Sequence, residues 1–182
     1  LLVCAGKGPK GLKGRELKAA VAKFAEQLKP HAEAAAAAKV RLGIENHSSN
    51  LINAPDSLKW LVEMTDDSIG VSMAPYHLET HQLGAEEIAA LIEALGDRLF
   101  LFYAWQYGMG CKTKLPKEQE LLQMPGRGDL DFGPIVGALR RIDFKGYTSI
   151  FMHPTPRGIP IMPTIDGTTA EILLAKNYLE SL

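Results

Sequence analysis

The sequence predicts an α/β fold with a parallel sheet, and three observations carry that prediction. Short apolar runs alternate with longer helical patterns about five times along the chain. Four successive apolar runs end in residues able to bind a metal or a hydroxyl. The chain also opens directly on an apolar run, Leu1-Leu2-Val3-Cys4-Ala5-Gly6, with no initiator Met. That opening reads as a strand beginning in mid-fold, so the true N-terminus, with any targeting signal, is expected outside this sequence.

The elements follow in order. Leu1–Ala5, closed by glycines, fits a strand buried on both faces. A stretch rich in Ala, Leu, Lys and Glu, about Gly14 to Lys39, is helical, and Pro30 must kink or divide it. Arg41-Leu42-Gly43-Ile44-Glu45-Asn46-His47 is a second strand running into polar residues. Asp56 is placed to cap the next helix, which follows Pro55 and buries Leu58, Leu61 and Val62. Ile69–Ala74 is a third strand, ending in Pro75-Tyr76-His77, and Ala85–Leu95 is a helix. Leu99–Trp105 is a fourth strand, followed by a long Gly/Lys/Pro-containing loop from about Tyr107 to Asp131 with a helical turn at Lys117–Gln123. Phe132–Ile142 is a helix, Tyr147–Met152 a fifth strand, and Thr168–Leu182 a final helix after a Pro/Gly-rich segment. Five units do not close a barrel of eight. Either about three units are missing from a (β/α)8 barrel, or the five form a complete open doubly wound sheet.

Composition narrows the class of protein. Twenty basic residues against 21 acidic ones, net charge −1, exclude the basic stripe of a nucleic-acid binder. No apolar run of about 18 residues exists, so no membrane helix is expected. The two cysteines, Cys4 and Cys111, are too few for a disulfide framework and fit a reducing, cytoplasmic location.

Active groups in either fold lie just past the carboxyl ends of the strands. Glu45, Asn46 and His47 follow the second strand, His77 the third, Gln106 the fourth, and His153 and Arg157 the fifth. A carboxylate ending an apolar strand is costly to bury alone, so Glu45 is read as metal ligand or general base rather than as a loop cap. His77 and His153 are ligands or acid–base groups, the plainer reading being bonds to loop backbone. Glu45, His77, Gln106 and His153 together offer carboxylate, imidazole and amide oxygen, which suit Mn, Co, Zn or Mg. Such a metal polarises a carbonyl and its neighbouring hydroxyl. His47 adds a polar group beside Glu45, and Trp105 with Tyr103 offers a stacking wall, with core packing as the alternative. Arg127, in Pro125-Gly126-Arg127-Gly128, and Arg157 would meet an anionic or hydroxylated substrate; a tight turn is the competing reading of the first segment.

Two motifs are set aside. Gly6-Lys7-Gly8-Pro9-Lys10-Gly11 fits the dinucleotide pattern, but Pro9 removes a backbone donor and no acidic residue follows about 20 positions on. His77-Leu78-Glu79-Thr80-His81 has its Glu in the wrong place for a zincin, and His81 reads as a solvated loop residue. Lys112, Lys114 and Lys117 read as a solvated loop.

Three segments in order, Ile44-Glu45-Asn46-His47, Met73-Ala74-Pro75-Tyr76-His77-Leu78 and Pro125–Phe132, resemble landmarks of the xylose isomerase-like sugar isomerases and epimerases. The resemblance covers nearly the whole chain. It implies a TIM barrel, with residues 1–182 as a single domain forming the C-terminal part. It implies a metal-assisted sugar or sugar phosphate isomerase or epimerase, acting on a small carbohydrate. A keto-sugar lyase and a non-catalytic carbohydrate-binding barrel are the alternatives, and a homo-oligomer is left open because strand edges associate. Family members hold one divalent metal with Glu, Asp, His and Glu from four consecutive strands. Glu45 matches the first, and His77 matches a His that follows the Asp and contacts substrate or supports the site. Ala74 stands at the Asp, Trp105 or Gln106 in the region of the His, and Phe151 near the last Glu, with His153 just beyond.

Overall fold

The five apolar runs form one sheet, and helices fill the intervals between them. The computed structural model describes residues 1–106, 116–154 and 160–182. The strands are β1 (Leu2–Ala5), β2 (Leu42–Glu45), β3 (Ile69–Met73), β4 (Leu99–Ala104) and β5 (Tyr147–Ile150). The helices are α1 (Gly14–Ala37), α2 (Pro55–Glu63), α3 (Pro75–Leu78), α4 (Ala85–Leu95), α5 (Lys117–Glu120), α6 (Gly133–Arg141) and α7 (Ile165–Ser181). Each strand pairs in parallel with the next in sequence, giving the order β1-β2-β3-β4-β5. That order decides between the two folds. A doubly wound sheet reverses direction at a switch point, whereas a sheet that adds every strand on the same side is the wall of a β/α barrel.

Alternation along the strands separates the two faces of this wall. Ile44, Val71, Met73, Phe102 and Ala104 join one buried apolar cluster with Val21 of α1, Leu58 and Leu61 of α2, and Ile88 and Ile92 of α4. Each large side chain so buried contributes about 1.5–3 kcal/mol. The residues between them, Gly43, Glu45, Ser72 and Tyr103, therefore face the barrel interior. Space is short at one point of that face: a Cβ on Gly43 would collide with the Ser72 hydroxyl.

Arg98 fastens the turn into β3. Its guanidinium donates to the carbonyls of Val62 (3.1 Å), Thr65 (3.2 Å) and Asp66 (2.6 Å), and to Ile69 through Nε (2.7 Å). One cation thus satisfies several carbonyls that the end of α2 leaves unpaired.

Some expectations are corrected. β1 is an outermost strand of the described sheet, and Leu2 is 53% exposed in this chain where burial on both faces is expected. Pro30 does not divide the first helix, which runs unbroken through it. Pro30 is exposed, so the carbonyl deprived of its N–H partner faces water. Asp56 is not the cap of α2: Ala54 holds that position, Pro55 opens the helix, and Asp56 pairs with Lys59 at 3.2 Å. Val62 is only partly buried. The last helix starts at Ile165, where Thr164 Oγ1 accepts from the Gly167 N–H at 3.0 Å.

Candidate active site

β2 carries the only carboxylate in the five strands, Glu45, to the mouth of the barrel. The side chain is half-buried, and burial holds its carboxyl above the usual carboxylate range. Tyr103 of β4 faces the same interior. Its phenol is also pushed up, chiefly by burial and further by the Glu45 charge. Ser72 of β3 lies between the two strands, in register with Glu45, and its buried hydroxyl has no partner among the described residues.

A chain of rings lines the rest of the mouth. His47 and His77 lie against each other at 4.0 Å between centroids, tilted by 34°. His77 meets the edge of Trp105 at 5.3 Å, and Trp105 stacks on Tyr76 at 3.9 Å, with 6° between planes. Phe151 packs on Trp105 at 4.7 Å, and His153 lies 6.4 Å away, nearly parallel to it. Sequence reading placed His47, His77, Trp105 and His153 in a site, and the fold gathers all four at one end of the sheet.

Two amides hold this wall in place. Asn46, fully buried, clamps the Ala74 backbone: its Oδ1 accepts from the Ala74 N–H at 2.7 Å and its Nδ2 donates to the Ala74 carbonyl at 3.1 Å. Gln123 was not singled out from the sequence. Its Oε1 accepts from the Trp105 indole (3.1 Å) and the His153 N–H (2.6 Å), and its Nε2 donates to the Glu120 and His153 carbonyls. This amide fixes the indole against the end of β5. No sequence signal marks it, because a lone Gln in a loop has neither periodicity nor a motif.

The other expected site residues are placed differently. Gln106 is fully buried, and its Oε1 accepts from the Leu130 N–H at 3.0 Å, so the amide braces the loop before α6. Arg127 is bidentate to Glu171 of α7, both contacts at 2.7 Å. Its loop is a tight turn, with Gly126 at φ +82 against the Tyr178 ring. His153 Nδ1 lies 3.0 Å from the Pro154 carbonyl. Arg157, Cys111, Lys112 and Lys114 lie outside the described residues.

The donor set does not fit a divalent ion held by Glu45, His77, Gln106 and His153. Ala74 and Phe151 offer no ligand, the Gln106 carbonyl oxygen is taken by Leu130, and His77 is only 4% exposed within ring contacts. No three His, Cys, Asp or Glu side chains converge for a metal among the described residues.

Residues 1–176 match the model of the xylose isomerase-like TIM barrel. The chain belongs to that family. Among solved structures, this xylose isomerase-like barrel is similar to a D-tagatose 3-epimerase-like protein, with TM-score 0.65 and 21% identity over 98% of this chain and 61% of that one. A D-psicose 3-epimerase with D-tagatose from Clostridium cellulolyticum H10 gives TM-score 0.68 and 18% identity, covering 99% and 64%. A 3-keto-D-glucoside 4-epimerase from E. coli gives 0.65 and 16%, covering 96% and 63%. The chain therefore spans less than two thirds of the length of these relatives, and at such identities the likeness establishes the fold. Comparison with curated protein sequences gives no match. No helix among the described residues is long and apolar enough to cross a membrane.

Proposed function

We propose that this protein is a sugar isomerase or epimerase that moves a proton beside a carbonyl, with Glu45 as the base. The observation that carries the proposal is the one carboxylate in the five strands, half-buried at the end of β2 and held above the usual carboxylate range by that burial. A base so raised is a better match to an α-proton than a solvated carboxylate. Tyr103 supplies the complementary group, a protonated phenol whose O–H donates to oxygen as charge develops there. The Tyr76–Trp105 stack is buried, so it packs as core beneath the site and holds the end of β4 in place. His47, half-buried at the end of β2, stands beside Glu45 as a hydroxyl partner, while His77 supports its ring from below. Glu45 takes the α-proton and returns it to the neighbouring carbon while Tyr103 exchanges a proton with the oxygens, which balances for an isomerisation. Inversion at a single carbon needs a second proton donor on the opposite face.

The test is a screen of ketopentoses, ketohexoses and keto-glucosides for isomer formation, with Glu45→Gln beside the parent protein. Loss of a general base costs about 10²–10⁴-fold in rate, so the variant is expected to fold normally and lose product formation by that factor. Conversion that survives Glu45→Gln unchanged would remove Glu45 from the chemistry. Sugar binding without conversion in the parent would turn the reading to a carbohydrate-binding barrel. Cleavage products in place of isomers would assign the keto-sugar lyase.

A further inference from the structure

The mouth of the barrel holds imidazoles as well as Glu45, and they differ in where they stand. His47 follows Glu45 by two residues at the end of the same strand, so it shares that side of the mouth. His77 is only 4% exposed, against the His47 ring. His153 comes from another flank and is partly exposed.

β5 carries His153 to that flank. Ser149 is in register with Tyr103 and shares its interior face, while Ile150 packs against the apolar cluster outside. Phe151 returns to the interior side, edge-on to the Tyr103 ring at 5.8 Å. His153 follows two residues later. β2 and β5 are three strands apart in a wall that adds each strand on the same side. Three of eight steps is about 135° around the axis of a closed barrel, so groups at the two strand ends approach the axis from different sides.

His153 is also held as a proton carrier has to be. One fully buried amide, Gln123, grips both of its backbone groups: the N–H donates to Oε1 at 2.6 Å and the carbonyl accepts from Nε2 at 3.1 Å. The Pro154 carbonyl, 3.0 Å from His153 Nδ1, can only accept, so Nδ1 carries a proton. The tautomer is thereby set, and Nε2 is the atom that takes up or gives a proton.

We infer that His153 is the second proton-transfer group of this site, across the mouth from Glu45, and that the reaction is an epimerisation beside a ketone. The inference rests on Glu45 as the base. Glu45 takes the proton from carbon, the C–H electron pair forms a C=C bond, and the carbonyl oxygen takes the Tyr103 proton. Protonated His153 then gives its Nε2 proton to the same carbon from the other side. The oxygen returns its proton to Tyr103 as the carbonyl re-forms. Glu45 ends protonated and His153 neutral, the states from which the reverse reaction starts, and exchange with water restores the first pair. Nδ1–H stays on the Pro154 carbonyl in both.

The experiment compares the parent protein with His153→Gln on both members of each epimeric pair among the ketopentoses and ketohexoses. The sugars are incubated in D2O, and deuterium entry and epimer formation are followed by NMR. In the parent, both epimers of the substrate pair exchange and interconvert. His153→Gln is expected to keep exchange of the epimer that Glu45 deprotonates near the parent rate. Exchange of the other epimer, and interconversion, should fall by about 10²-fold or more. The retained exchange also shows that the variant is folded. Interconversion at the parent rate in His153→Gln, or equal loss of exchange from both epimers, would overturn the role of His153 and leave Glu45 as the base. A parent that exchanges neither epimer would overturn both.

Discussion

The middle and the edges of this sheet are built differently. Every residue of β3 is buried, and β2 is buried up to Glu45, which stands half-covered at its end. At the edges, β1 reads exposed–half–half–exposed and β5 begins with Tyr147 at 79% exposure. Strand composition alone does not separate them, since Leu-Val-Cys-Ala is as apolar as Leu-Gly-Ile-Glu. What differs is having a neighbour on both sides. The candidate base sits between the two regions, with buried Ser72 of β3 on one flank and exposed Ala5 of β1 on the other, and the burial it has raises its carboxyl.

Paired truncations sharpen that comparison. Ile44→Ala, at a position with no exposure, should cost about 2–5 kcal/mol in denaturant unfolding, because it removes methyl groups and leaves a cavity. Arg98→Ala should follow at about 1–3 kcal/mol, since it strands carbonyls around the turn into β3. Leu2→Ala, at 53% exposure on β1, should stay within about 0.5 kcal/mol. A cost at Leu2 equal to that at Ile44 would show that the edge is covered in solution.

Glu45 gives a pH test of the same contrast. Burial raises its carboxyl in the folded state, so folding takes up protons and stability falls as pH rises above the usual carboxylate range. Glu45→Gln removes that loss. Thermal unfolding should show the variant more stable than the parent near neutral pH, with the two converging as pH falls below that range. A variant less stable at neutral pH would mean that the carboxylate has a stabilising partner.

Much of this was legible in the sequence, for definable reasons. Strands and long helices announce themselves by apolar period, so β4 and the helix Ala85–Leu95 fall where expected. Polar residues that end apolar runs mark the mouth of the barrel, which located Glu45, His47, His77 and His153. Long-range polar pairing leaves no such trace. Nothing in the chain says that Asn46 clamps Ala74, that Gln106 braces Leu130, or that Arg127 answers Glu171 across 44 residues. The side chains assigned by type alone, the amide and the guanidinium, are the ones that the fold spends on structure. Tyr103 shows the converse: a strand aromatic is usually core, and only the position of Glu45 makes its phenol a candidate acid.

The most direct test of the central claim is proton exchange at substrate carbon. The parent protein and Glu45→Gln are incubated with the keto-sugar panel in D2O, and loss of the α-proton signal is followed by NMR. The account predicts enzyme-dependent deuterium entry for the parent, slowed by about 10²-fold or more in Glu45→Gln. Equal deuterium entry in both proteins would contradict it.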